Sequence, residues 1–203
     1  MADTLIASEK EIFPNRKRWT RHECDFLAAN DLLTGRYELI DGEILSKMGQ
    51  NPPHRLAMML IAQWLVSVFG FLNVQTEKPI AILGPLGETN APEPDIAVTI
   101  APTTEYTDRH PSPQELLLIA EVSDTTLRFD LTTKALLYAQ AGVQEYWVAD
   151  VNERRLHCHR APTSQGYRDI TVYGEDDRIA LEARPGVEAR VGDLLSVPPA
   201  APL

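Results

Sequence analysis

The apolar positions of this chain change period several times, and each change marks an element. Residues 20–30 (TRHECDFLAAN) predict a short helix, with Thr20 as N-cap and Glu23 completing a capping box. In RYELIDGEILSK the period drops to two around Asp41-Gly42, a strong hairpin signal. A two-residue loop there puts Tyr37, Leu39, Ile44 and Ser46 on one face, and Glu38, Ile40, Glu43 and Leu45 on the other. A helix is predicted from about Pro53, a proline suited to a first turn, to about Phe69. At the helical period His54 falls beside Met58, Ile61 and Leu65 on its inward face. Strand-like segments follow at 73–83 (NVQTEKPIAIL), 95–100 and 116–122 (LLLIAEV). Next come a helix over about 130–141, with Asp130 as N-cap and Gly142 as its stop, and a strand at 145–150 (EYWVAD). The runs RRLHCHRA, YRDITVYG, RIALEA and EARVGDLL read as antiparallel β-structure with polar turns. This order predicts an α/β (α+β) fold, a sheet with helices packed on it, and not a bundle or an all-β sandwich.

Composition narrows the class. A chain of 203 residues suits one domain with a sizeable core. We place that domain at 20–195, between a flexible N-terminal segment 1–19 and a flexible tail 196–203. Hydrophobic content of 44% with 24% charged residues is that of a soluble globular protein. Two cysteines, Cys24 and Cys158, make neither a disulfide framework nor a cysteine-based zinc site, and a cytoplasmic location is expected. The start, MADTLIASEKEIF, lacks the cationic and apolar regions of a signal peptide. The apolar stretch LAMMLIAQWLVSVFGFL is interrupted by Gln63, Ser67 and Gly70, which suits a buried helix and not a membrane span. The net charge of −10 counts against nucleic-acid binding unless a bound cation reverses the local sign. Arg16-Lys17-Arg18 with Arg21, and Arg154-Arg155 with Arg160, read as solvated faces.

Two carboxylates break the apolar pattern. Glu121 closes the run LLLIAEV, and Asp95 enters the run IAVTI after Pro92 and Pro94. A carboxylate in such a setting is costly to bury unless a cation or hydrogen bonds compensate. Lys134 lies on the margin of the buried arc formed by Leu131, Ala135 and Tyr138. Alone it reads as a lysine snorkelling to solvent. Beside Asp95 and Glu121 it completes the parts of a metal-dependent phosphodiesterase site. Other constellations are weaker. His157 and His159 share a strand face but lack a third ligand nearby, Ser123 has no GxSxG frame, and the 11 glycines form no phosphate loop.

The segments PEPDIAV (92–98), LLLIAEVSDTT (116–126) and DLTTKALLYAQAGVQEYWVAD (130–150) resemble the Uma-two restriction-endonuclease family of the PD-(D/E)XK nuclease superfamily. YELIDGEI (37–44) and PPHRLAMML (52–60) match its upstream part, so the resemblance spans about residues 20–195. It implies a restriction-endonuclease-like mixed central sheet flanked by helices, with an N-terminal hairpin and a β-rich C-terminal end. The superfamily's aspartate maps to Asp95 and its glutamate to Glu121. Its usual lysine would fall at Ser123, so the resemblance implies a migrated lysine, Lys134, with Ser123 left as a candidate substrate contact.

The implied activity is that of a Mg2+-dependent endodeoxyribonuclease, with Mn2+ substituting. Asp95, Glu121 and the Val122 carbonyl would hold the ion, and Lys134 would serve the attacking hydroxide and the anionic transition state. Glu38 would add a ligand directly or through water, against a reading as a strand-surface glutamate. His54 would contact substrate phosphate or a ligand water, against a reading as a hydrogen-bonded core histidine. DNA is the expected partner, no membrane is, and cutting both strands of a duplex with one site per chain favours a homodimer. The alternatives are a catalytically inactive nuclease-fold binding or regulatory module, and a nuclease acting on RNA.

Overall fold

The computed structural model describes residues 16–47, 49 and 51–195. Most of the expected N-terminal segment, and the whole tail from 196, lie outside the described residues. Helix α1 (Arg21–Ala29) starts at the Thr20/Glu23 capping box. Strands β1 (Tyr37–Ile40) and β2 (Glu43–Ser46) form the hairpin, with Leu39 opposite Ile44 and Glu38 opposite Leu45. Asp41 and Gly42 both take positive φ, 48° and 77°, as a two-residue loop matched to strand twist requires. Helix α2 (Pro52–Phe69) is capped by the Asn51 side chain and buries Ala57, Met58, Ile61 and Leu65.

The centre is a six-stranded mixed sheet in the order β3-β4-β5-β6-β7-β8. Its strands are β3 (Val74–Thr76), β4 (Ile96–Thr99), β5 (Leu116–Ser123), β6 (Glu145–Asp150), β7 (Arg155–Thr163) and β8 (Gly166–Tyr173). Only β5 and β6 run parallel, joined by the helical crossover that such a pair needs. That crossover consists of α3 (Leu127–Phe129), a π-helical turn (Asp130–Lys134) and α4 (Ala135–Ala141). A hairpin of β9 (Arg178–Leu181) and β10 (Arg184–Arg190) and the short α5 (Val191–Leu194) complete the fold.

Strand alternation divides the core between two helices. Leu118, Ala120, Val122, Ile96 and Val98 face α2, where Trp64 stacks on the buried Trp147 at 6.0 Å between ring centres. Ile119, Ala97, Tyr146 and Val148 face α4 through Ala135, Tyr138 and Ala139. Glu121 shares the parity of Ile119, so it points toward α4.

Four expectations need correction. Only Val74–Thr76 of the predicted strand 73–83 pairs in the sheet, because Pro79 interrupts the rest. Buried Ile80 and Ile82 there anchor an irregular segment. The crossover helix begins at Leu127, so Asp130 is inside it and is no N-cap. Lys134 is 4% exposed, well inside the buried arc and not on its margin. A π turn carries more residues per turn than an α-helix, so a wheel drawn at the α period misplaces the residues that follow. The last segment, read as β-structure throughout, ends in α5.

Candidate active site

Extending the Ile96–Ala120 pairing by one residue sets Asp95 across from Glu121. Both carboxylates are therefore placed on one face by register alone. The backbone ties them together. The Val122 amide donates to Asp95 Oδ2 at 2.9 Å, and the Asp95 amide points at Glu121 Oε2 at 3.3 Å. Lys134 Nζ lies 2.9 Å from Glu121 Oε1 and 3.0 Å from Glu38 Oε1, bridging the crossover helix to the first hairpin. The Tyr138 hydroxyl donates to the same Glu121 oxygen at 3.0 Å, one helical turn from Lys134.

Asp95 has its own retinue. His54 Nε2, from the first turn of α2, is 3.2 Å from Asp95 Oδ2, and Lys47 Nζ is 3.8 Å from Oδ1. Among the described residues, His54 Nδ1 is buried without a hydrogen-bond partner. These groups border a cavity of about 650 Å³ between the first hairpin, the start of α2 and the crossover. Asp130 also borders it, and its Oδ2 accepts the hydroxyls of Ser123 at 2.6 Å and Thr126 at 2.7 Å. Ser123 is fully buried behind these lining residues, and its hydroxyl donates to Asp130.

Burial and charge pull the titrations in different directions. Burial pushes the Glu121 carboxyl up to about 8, Lys134 opposing and Asp95, Asp130 and Glu38 adding to the rise. Burial opposes the charge on Lys134, but Glu121, Glu38 and Asp130 together outweigh it and raise its affinity for a proton. Lys134 is thus an ammonium at neutral pH. Burial also disfavours charge on Asp95, yet His54, Lys47 and the Val122 amide hold it below the usual range.

Of the residues singled out from sequence, Glu38, His54, Asp95, Glu121 and Lys134 meet at this cavity, whereas Ser123 stands behind it. Sequence reading missed Lys47 and the Tyr138 hydroxyl. Lys47 was one step away: continuing the β2 alternation past Leu45 puts it on the face of Glu38, and its amide extends the ladder to Arg36 O at 3.0 Å. Among the described residues, no three His, Cys, Asp or Glu side chains stand close enough to form a metal cage.

No curated protein matches the chain. One solved structure that it resembles is that of a "putative nuclease" from Anabaena variabilis, with a TM-score of 0.64 at 16% identity. The match covers 83% of this chain and 96% of that one, a likeness of fold. The family model described as "Putative restriction endonuclease" matches residues 25–195, a span that takes in both carboxylate strands, the first hairpin and the lysine-bearing crossover; the chain belongs to that family, Uma-two.

Proposed function

We propose that this cavity hydrolyses phosphodiester bonds of DNA with the help of Mg2+, Mn2+ substituting. The observation that carries the reading is the pair of buried carboxylates on adjacent strands, Asp95 and Glu121, with a buried ammonium against them. Their hard oxygens suit magnesium, which keeps several waters and takes only one or two carboxylates from a protein. Asp95 and Glu121 would hold it, Glu38 adding a contact directly or through water. The Val122 carbonyl stands on the strand edge whose amide already meets Asp95. When bound, the ion lowers the pKa of a coordinated water and offsets charge on the phosphate.

The chain's own groups do the rest. Lys134 donates to Glu121 and forms an ion pair with Glu38, and a remaining donor would serve the attacking water or the oxygen that becomes anionic. Tyr138 fixes the Glu121 carboxyl against Lys134, and would hold it in one orientation for an ion. His54 Nε2 stands 3.2 Å from Asp95 and would keep that carboxylate oriented, as partners behind a metal ligand do. DNA as the physiological substrate, a homodimer and a cytoplasmic setting belong to the same proposal. No helix of the described residues is long and apolar enough to cross a membrane.

A second reading, an inactive nuclease-fold module that binds or regulates, is favoured by the net charge of −10. An RNA substrate on the same site is the third. The test is incubation of the protein with plasmid, single-stranded DNA and RNA in Mg2+, Mn2+ or chelator. Metal-dependent cleavage of DNA that vanishes in Asp95→Ala is expected. Absence of cleavage on every substrate, with binding retained, would favour the inactive module.

A further inference from the structure

Lys47 is the second ammonium at the cavity, and its situation differs from that of Lys134. Its side chain is 16% exposed, against 4% for Lys134, so it stands nearer the mouth. One of its donors goes to Glu93 O at 2.5 Å. Its approach to Asp95 Oδ1, at 3.8 Å, is an ion pair without a hydrogen bond. A lysine ammonium has three donors, so two remain for a ligand entering the cavity. On its other oxygen Asp95 meets the Val122 amide at 2.9 Å and His54 Nε2 at 3.2 Å, so Lys47 is one of three partners and not its sole support.

We propose that Lys47 binds a non-bridging oxygen of the substrate phosphate. Resting on the phosphodiesterase reading, this divides the work between two lysines. Lys134 stands on the Glu121 side and serves the carboxylates and the nucleophile. Lys47 stands on the outer oxygen of Asp95 and serves the phosphate. The backbone supports such a role. The amide of Lys47 bonds Arg36 O and its amine bonds Glu93 O, so the residue is pinned at both ends beside the ligand carboxylate. A phosphate held there would lie next to any ion on Asp95, where its charge is best offset.

Lys47→Met and Lys47→Arg of the full chain test this. Binding of a labelled single-stranded oligonucleotide is followed across salt concentrations in Ca2+, a hard cation in place of Mg2+. Loss of one phosphate contact should lower the slope of log K against log salt by roughly 0.7 in Lys47→Met, and Lys47→Arg should keep it. Cleavage by Lys47→Met should fall about a hundredfold while the rise in melting temperature on adding Mg2+ stays as in wild type. An unchanged slope and rate would overturn the proposal. So would equal failure of both variants with loss of the Mg2+ response, which would make Lys47 a structural anchor for the Glu93 carbonyl. A wild type that neither binds nor cleaves overturns the phosphodiesterase reading itself, an outcome visible before any variant is made.

Discussion

Replacing Lys134 by methionine removes one positive charge from between two carboxylates while keeping much of the aliphatic stem. In the wild type its amine stands 2.9 Å from Glu121 and 3.0 Å from Glu38, all three side chains being at least 92% buried. Removing one partner of a buried pair costs about 3–5 kcal/mol, because the remaining charge has no solvent to turn to. Here two carboxylates are stranded, and the Tyr138 hydroxyl with the long amide contacts of Asp95 and Glu93 cannot offset both charges. Proton uptake by one of them caps the loss, so the penalty should be largest in mild alkali and smaller in acid. For a chain of this size the loss corresponds to a fall of roughly 6–20 °C in melting temperature. Urea unfolding followed by the fluorescence of the stacked Trp64–Trp147 pair measures it. Mg2+ should recover more stability in Lys134→Met than it adds to wild type, since a cation then fills the place of the ammonium. A variant as stable as wild type at pH 8 would refute the reasoning, because it would mean that the carboxylates are solvated.

Three further outcomes follow from the same geometry. Mg2+ or Mn2+ should raise the melting temperature of wild type but not of Asp95→Asn, and equal gains in both would place the ion elsewhere. Burial lowers the pKa of His159, wedged between Tyr146 and Tyr167 without a hydrogen-bond partner, from 6.5 to about 4. The unfolded chain then binds the proton first, so stability falls as pH drops from 6.5 toward 4, by at most about 3 kcal/mol. His159→Phe should flatten that part of the profile, and an identical acid limb in both proteins would show that His159 is hydrated. Arg160→Leu should cost about 3–5 kcal/mol in urea unfolding, because it strands the fully buried Glu145 that Arg160 Nε meets at 3.0 Å.

The parts of this site that could be read from sequence are those governed by strand alternation and by turn chemistry. Asp41-Gly42 set the hairpin, and alternation from it put Glu38 and Leu45 on a shared face, as the register has it. The apolar runs around Asp95 and Glu121 marked both as buried carboxylates in want of partners, and both are buried. What could not be read was set by tertiary packing. The π turn has no period of its own to show in a sequence, yet it carries Lys134 fully into the core. Asp130 looked like a helix cap because aspartate before an apolar stripe is one. Its carboxylate instead binds the hydroxyls of Ser123 and Thr126, a choice made by the end of β5 lying beside it. Glu145 gave no signal at all, since its partner Arg160 is supplied by the neighbouring strand.

The charge of the chain and its proposed ligand can be reconciled only locally. Among the described residues, six carboxylates border the cavity against two lysines and His54, so the cavity without a cation repels a phosphodiester. A surface basic patch would act at long range and without regard to the chemistry, whereas a divalent ion on Asp95 and Glu121 reverses the sign only where the bond is to be broken. Substrate binding should then depend on the ion far more than on ionic strength. With chelator present, oligonucleotide binding by wild type should be weaker by at least the tenfold that about 1.4 kcal/mol represents, and Ca2+ should restore it. Asp95→Ala, which removes one carboxylate and part of the ion's hold together, should bind alike with and without Ca2+. Tight binding by wild type in chelator would mean that the substrate is held by cationic groups away from this cavity, and that the acidic cavity is not where it lies.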